Sequence, residues 1–367
     1  MIKFLDLPKI NARFESEFKT EFNAFLNSGV YVLGQGVTAF ESNYAKYCGT
    51  KYCIGVSNGF DALILIFKGY LELGVLQKGD EVVVPANTFI ASILAIMEVG
   101  LKPILIEPNM DSFNIEASEI EKHISGNTKA ILIVHLYGQL CDVSEINALA
   151  KRNRLLVVED AAQSTGAIDS LTSKRSGNLC DAAAFSFYPS KNLGALGDAG
   201  AVTTNNKALA DVIFKLRNYG TASKYINDVL GVNNRLDEIQ ALFLNVKLKF
   251  LDADNAERVA IAKRYLLEVK NPRIKLPKCN GLRNHVFHLF VVMVDNRDHF
   301  IQYLKAHNIQ PAIHYPIPPH KQKALKRFNV LKFPITEKIH DTCVSLPISP
   351  IMTDLEVTSV IKTLNDY

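Results

Sequence analysis

No block of five like charges occurs in the 367-residue chain, and 41 Lys+Arg against 37 Asp+Glu leave a formal net charge of only +4. A dedicated nucleic-acid binder carries a concentrated basic footprint, so this balance argues against that class and leaves small acidic ligands open. Long hydrophobic runs are also missing. Stretches such as Ala130 to Val134 and Val286 to Val294 are among the longest, both far short of the ~20 residues of a membrane span, and the second carries a histidine. Met1 to Ile10 has no apolar core behind a basic start, so no export is expected and the location is predicted to be cytoplasmic. No repeat with a period of about 20 to 50 residues and no low-complexity tract appears, which argues against a solenoid. The six cysteines (Cys48, Cys53, Cys141, Cys180, Cys279, Cys343) include no CxxC and no Cys/His pair at zinc spacing. They are expected to be buried thiols in a reducing compartment, with no metal site. Cys141 follows a Gly138-Gln139 turn but has no evident base beside it to make it reactive.

What is present is an ordinary globular composition, 48% hydrophobic and 21% charged, in a chain long enough for roughly two cores. From about residue 50 to residue 205, short β-branched runs alternate with helical patterns, the form of a mainly parallel sheet covered by helices. Strands are expected at Tyr52 to Val56, Glu81 to Val84, Pro103 to Ile106, Ala130 to Val134, Leu155 to Glu159, Ala182 to Phe187 and Ala201 to Thr204. Most are near-continuous apolar runs, as strands buried on both faces require. Asp61 to Leu73 and Ser144 to Arg152 carry apolar residues at helical spacing. A long helical pattern then runs from Leu236 to about Leu267, followed by Pro272, Pro277 and a break at Gly281. Beyond it come a strand at His285 to Val294, a helix at Arg297 to His307, a strand at Ile309 to Ile313 and helices near Thr336 to Val344 and Thr353 to Asn365. The expected division is a large α/β unit over residues 1–240 and a smaller α+β unit over 241–367.

Three segments bear chemistry. Ser57-Asn58-Gly59 opens a helix directly after a strand, where unpaired N–H groups and a helix dipole favour a phosphate and Gly59 permits close approach. Simple capping explains the same residues. Glu159-Asp160-Ala161-Ala162-Gln163 sets an acid at the C-terminal end of a buried strand, where open α/β sheets bind ligands. If Asp160 is deep it needs a cationic partner, and a protonated heteroaromatic ring would serve; the alternative is a capping aspartate. Phe185 to Gly200 is a glycine-rich connection between strands with Lys191 in its middle. Loss of hydration there would free the amine for Schiff-base chemistry, although loop lysines taken singly are mostly solvated. Together the three supply what pyridoxal phosphate needs: donors for its phosphate, a carboxylate for its pyridine nitrogen and an amine for its aldehyde. Ser186 adds a hydroxyl.

These segments, with Phe4-Leu5-Asp6-Leu7, Pro85-Ala86-Asn87-Thr88-Phe89, Gly231 to Ala241 and His314-Tyr315-Pro316, give the chain a resemblance over nearly its whole length to the DegT/DnrJ/EryC1/StrS family of pyridoxal-phosphate-dependent nucleotide-sugar aminotransferases. The resemblance implies an aspartate-aminotransferase-like fold of type I, with a mainly parallel seven-stranded sheet. It implies that Lys191 forms the Schiff base and moves the proton, that Asp160 holds the pyridinium, that Gln163 meets the ring oxygen and that Phe89 stacks on the ring. Ser186 with the backbone at Gly59 and Phe60 would bind the phosphate; Phe60 stands where the family often has Thr, leaving the backbone contact there. Asn233, or Asn234 beside it, would reach the phosphate from a neighbouring subunit, so a homodimer with shared sites is implied. Sugar dehydratases of the family carry histidine at the lysine position, so Lys191 points to the aminotransferase branch.

The resemblance also implies L-glutamate as amino donor and a nucleotide-linked keto sugar as acceptor. Ile313 to Gln322 and Tyr188 look most like the subgroup acting on dTDP-3-keto-6-deoxyhexoses, which would give a dTDP-3-amino-3,6-dideoxyhexose for lipopolysaccharide or O-antigen synthesis. A 4-aminotransferase acting on a UDP- or dTDP-4-keto sugar is the alternative. Tyr188, His314 and Tyr315 are expected near the sugar, with Tyr31, Tyr219, Lys224 and Arg235 as candidates for contact with the nucleotide or sugar.

Overall fold

The computed structural model describes residues 1–279 and 283–367, so the expected break at Gly281 lies outside the described residues. Seven strands form the central sheet: β1 (Tyr52–Val56), β2 (Glu81–Pro85), β3 (Lys102–Ile106), β4 (Thr128–Val134), β5 (Leu156–Asp160), β6 (Ala182–Ser186) and β7 (Gly200–Thr204). Their order across the sheet is β1-β7-β6-β5-β4-β2-β3. β7 runs antiparallel to both its neighbours, and the remaining pairs are parallel. The expected seven-stranded, mainly parallel sheet is therefore present, each strand within two residues of its predicted limits.

Apolar runs become strands here because helices cover both faces, which removes any need for a polar side. The helix Gly59–Glu72 is buried on nearly every side, including Leu63, Leu65, Ile66, Phe67 and Tyr70, because it lies between the sheet and the helices Ile90–Glu98 and Lys207–Leu216. On the opposite face Phe40 and Tyr44 pack with Phe185, Phe187 and Leu244. A separate core gathers Ile261, Tyr265, Phe290, Phe300, Val344 and Leu364 around the antiparallel strands Phe290–Met293 and Cys343–Leu346. No helix among the described residues is long and apolar enough to cross a membrane.

Three expectations after residue 235 need correction. The long helix is two, Glu238–Leu248 and Leu251–Glu268, because the halves bury different faces. Ala241 and Leu244 pack beside Phe40, whereas Ile261 and Tyr265 enter the second core. Phe250 marks the turn between them, packed 5.3 Å from Phe14. The strand expected over His285 to Val294 is confined to Phe290–Met293. Phe287 takes a positive φ of 44°, and the preceding residues bond sideways, Val286 N to Gly138 O at 3.0 Å and Leu289 N to Tyr137 O at 3.2 Å. Ile309 to Ile313 forms single bridges, Ile309 with Ile2 and Ala312 with Ser345, and no continuous strand.

Candidate active site

The C-terminal ends of β4, β5 and β6, the start of the helix Gly59–Glu72 and the loop after β6 enclose a cavity of about 400 Å³. Asn58 caps the helix: its Oδ1 accepts from Asp61 N at 2.8 Å and its carbonyl accepts from Ala62 N at 3.0 Å. The N–H groups of Gly59 and Phe60 find no acceptor among the described residues, so the positive end of the helix is left for an anion. Gly59 must be glycine, since a Cβ there would lie 2.7 Å from Ser186 Cβ. The absence of that atom lets the helix start press against the end of β6, which carries the Ser186 hydroxyl into the same wall.

β5 presents two acids to opposite sides, as strand alternation requires. Glu159 is fully buried and accepts from Gly177 N at 2.9 Å, Leu179 N at 2.9 Å and Cys180 N at 3.1 Å, with His135 Nε2 at 3.1 Å. It ties the connection after β5 to the sheet. Asp160 faces the cavity. Its Oδ2 accepts from Ser92 Oγ at 2.7 Å and its Oδ1 from Ala162 N at 3.2 Å. Thr88 Oγ1 stands 2.8 Å behind Ser92 Oγ. Burial raises the Asp160 carboxyl above the ordinary carboxylate value, while Ser92, Ala162 N and the charges of Lys191 and His135 pull it back. No cation bonds it directly among the described residues. A buried carboxylate so placed fits a protonated ring nitrogen.

Lys191 sits in the loop between β6 and β7. Phe187 N bonds Ala199 O and Ala195 N bonds Phe187 O, both at 2.8 Å, which closes the loop on itself. Gly194 allows its tight turn, because a Cβ there would meet Pro189 O at 2.3 Å. Lys247 Nζ donates to Gly194 O at 2.6 Å and fixes the loop to the helix Glu238–Leu248. Burial pushes the Lys191 amine down to about 8, against the opposing pull of Asp160. A substantial neutral fraction near neutral pH makes it a nucleophile.

The remaining wall is aromatic and amide. Gln163 accepts from Tyr137 N at 2.6 Å and donates to the Tyr315 hydroxyl at 3.0 Å. Phe89 is half-exposed and tilts against Tyr315 with ring centroids 5.2 Å apart. His314 Nδ1 lies 2.8 Å from Ser345 Oγ, and burial lowers its ring to about 4, so it is a neutral imidazole. Tyr188 stands exposed at the rim.

Gly59, Phe60, Phe89, Asp160, Gln163, Ser186, Tyr188, Lys191, His314 and Tyr315 thus share one cavity. Asn233, Tyr219 and Lys224 do not line it. They lie on a segment whose Thr221–Ser223 and Ile226–Asn227 strands pair with each other, and Asn233 and Tyr219 are exposed there. Arg235 bonds Asn218 Oδ1 at 3.0 Å, and Tyr31 packs on Phe25. Sequence reading passed over Ser92, His288 and Asn192. Ser92 is a lone hydroxyl in an apolar helix, and His288 a lone histidine in an apolar run; each was a visible irregularity. The cysteines are all free, and no His/Cys/Asp/Glu group suited to a metal occurs among the described residues. Cys141 is buried and its thiol is pushed up by that burial, so it is inert.

The donor set fits pyridoxal phosphate: a helix start cleared by Gly59, a buried carboxylate without a cation, and a desolvated lysine facing the same space. The family match decides the matter, covering residues 12–365 with the DegT/DnrJ/EryC1/StrS aminotransferase family. This chain belongs to that family. Like its relatives, this DegT-family chain is a pyridoxal-phosphate-dependent aminotransferase. It is 54% identical, over 100% of its length and 99% of the relative's, to dTDP-3-amino-3,6-dideoxy-α-D-galactopyranose transaminase of Aneurinibacillus thermoaerophilus. The crystal structure of Streptomyces venezuelae DesV in complex with a ketimine intermediate matches with a TM-score of 0.94 at 38% identity, covering 100% of this chain and 98% of that one. NtdA of Bacillus subtilis, solved with bound cofactor PMP, matches with a TM-score of 0.88 at 31% identity over 98% of this chain and 83% of that one.

Proposed function

We propose that this aminotransferase moves an amino group from L-glutamate to C3 of a dTDP-3-keto-6-deoxyhexose, giving a dTDP-3-amino-3,6-dideoxyhexose for a surface glycan such as lipopolysaccharide O-antigen. The observation that carries the reading is the 54% identity over the whole chain to a transaminase named for such a 3-amino sugar. When bound, pyridoxal phosphate supplies the electron sink for the carbanion and the carbonyl that carries the amino group between substrates. The chain's residues do the rest. Lys191 anchors the cofactor and, once released, moves the proton at the substrate carbon. Asp160, held by Ser92, keeps the ring nitrogen protonated. Gly59 N, Phe60 N and the Ser186 hydroxyl hold the phosphate, Phe89 and Gln163 fix the ring, and Tyr188, His314 and Tyr315 face the sugar.

The reading includes a cytoplasmic homodimer in which Asn233 or Asn234, Tyr219 and Lys224 serve the partner's site. Their position on an exposed segment, apart from the cavity of their own subunit, supports it. It also divides the chain near residue 240 into cofactor-binding and smaller units, which limited proteolysis would test. The deciding experiment follows the absorbance of the purified holoenzyme. L-Glutamate converts the pyridoxal form to the pyridoxamine form, and a dTDP-3-keto-6-deoxyhexose restores it, with neither change in Lys191→Ala. Restoration only by a 4-keto sugar would move the amino group to C4.

A further inference from the structure

His288 lines the cavity beside Lys191, and a chain of hydrogen bonds determines which of its nitrogens carries the proton. Asn255 Nδ2 donates to the Thr165 carbonyl at 3.0 Å. Asn192 Nδ2 donates to the Val286 carbonyl at 3.2 Å and to Asn255 Oδ1 at 2.8 Å. Backbone carbonyls only accept, so both amides are fixed in orientation. Asn192 therefore offers Oδ1 to His288 Nδ1, 3.1 Å away, and Nδ1 must hold the hydrogen. The neutral ring is then left with a bare lone pair on Nε2, for which no partner occurs among the described residues. The shortened strand explains the placement: the sideways bonding of Val286 and Leu289 brings the intervening His288 to the cavity wall.

The ring is buried, and burial lowers it far below the ordinary histidine value. The charges of Lys191 and Arg258 add to that depression, Lys191 more strongly, and the neutral rings of His314 and His285 stand nearby. A neutral acceptor cannot bind a phosphate or a carboxylate, so it suits an N–H or O–H donor. Asn192, which fixes the ring, is the residue next to Lys191. We propose that His288 is a positioning residue for Lys191: the amine makes no bond to the ring in the arrangement described, and when free of the cofactor it turns within the cavity to donate to the bare Nε2. The residue thereby sets the direction from which the released lysine returns its proton. This inference rests on Lys191 being the cofactor-linked lysine.

Two measurements test it. In wild-type protein freed of cofactor and labelled with 15N-histidine, His288 is expected as the Nδ1–H tautomer near neutral pH; an Nε2–H tautomer or an imidazolium overturns the proposal. The second follows the rate at which the apoenzyme couples to pyridoxal phosphate, as a function of pH. His288→Asn keeps an amide donor toward Asn192 but has no acceptor at the Nε2 position, so the Lys191 ammonium loses a charge-assisted bond. The profile is expected to move about one pH unit lower. His288→Gln, whose longer amide carries an oxygen toward that position, is expected to stay near wild type. Superimposed profiles for all three, or equal shifts in both variants, overturn it. Borohydride trapping on the wild type separates the failures: no label on Lys191 removes the lysine assignment and this proposal together, whereas label on Lys191 with superimposed profiles removes only the role of His288.

Discussion

Ser92 donates its hydroxyl hydrogen to Asp160 Oδ2 at 2.7 Å, with Thr88 2.8 Å behind it, all three buried. This bond favours the charged carboxylate that burial disfavours. Ser92→Ala therefore raises the Asp160 pKa further and weakens its grip on a cationic ring nitrogen. A hydrogen bond to a charged group is worth about 1.5–3 kcal/mol, so cofactor affinity is expected to fall about tenfold or more. Equilibrium titration of the apoenzyme with pyridoxal phosphate reads this, and an unchanged affinity would refute it.

Gly59→Ala places a methyl 2.7 Å from Ser186 Cβ and 3.1 Å from its Cα. Neither end of the contact is a flexible side-chain tip, so the helix start must move away from β6. Overpacking of this kind costs about 1–3 kcal/mol. The loss is expected both in denaturant stability of the apoenzyme and, larger, in affinity for pyridoxal phosphate. Equal affinity in variant and wild type would show that the anion is held elsewhere.

Lys247 gives a pH signature. Burial holds its amine at about 8, down from 10.5, with Asp254 opposing and Arg13 reinforcing the shift. Between those values the unfolded chain binds the proton that the folded protein has released, so this group makes stability rise with pH across that window. The stability of wild type relative to Lys247→Met is expected to increase by up to about 3 kcal/mol from pH 7.5 to pH 10.5. Urea denaturation of both proteins across that range checks it; a flat difference would mean that Lys247 keeps its proton as readily folded as unfolded.

The proposed homodimer, in which Asn233 or Asn234 serves the partner's site, predicts complementation between defective subunits. Lys191→Ala and Asn233→Leu should each be nearly inactive alone. Refolded together in equal amounts, half the dimers are mixed and each holds one site free of both changes, so about a quarter of wild-type activity is expected. Asn234→Leu in place of Asn233→Leu identifies which asparagine reaches across. No recovery with either would remove the partner's contribution.

Most of the sheet was legible because strands covered on both faces must be apolar throughout, and turns between them are marked by glycine and polar residues. That Asp160, Ser186 and Lys191 share one cavity was legible only from their segments taken together and from the family resemblance, because a capping aspartate or a solvated loop lysine explains each segment alone. The segment from Leu236 to Leu267 was read as one helix because its break lacks proline and glycine; only tertiary packing, with Phe250 against Phe14, sets it. The extent of the strand at His285 was hidden for a related reason: the positive φ at Phe287 is imposed by bonds to Tyr137 and Gly138, about 150 residues earlier in the chain. Ser92 and His288 escaped notice because a single polar residue in an apolar stretch acquires meaning only from what another element places opposite it.

Glu159 and Asp160 are chemical near-twins on adjacent positions, one welded into backbone amides and the other turned to the cavity. Only the two-residue alternation of β5 assigns their duties. A slip of one residue against β4 or β6 would aim the acids at each other's surroundings, burying Asp160 among amides too distant for its shorter arm and leaving Glu159 loose in the pocket. The pairing that secures the sheet thus also sets the chemistry: a register error that weakens the sheet would misplace both acids at once.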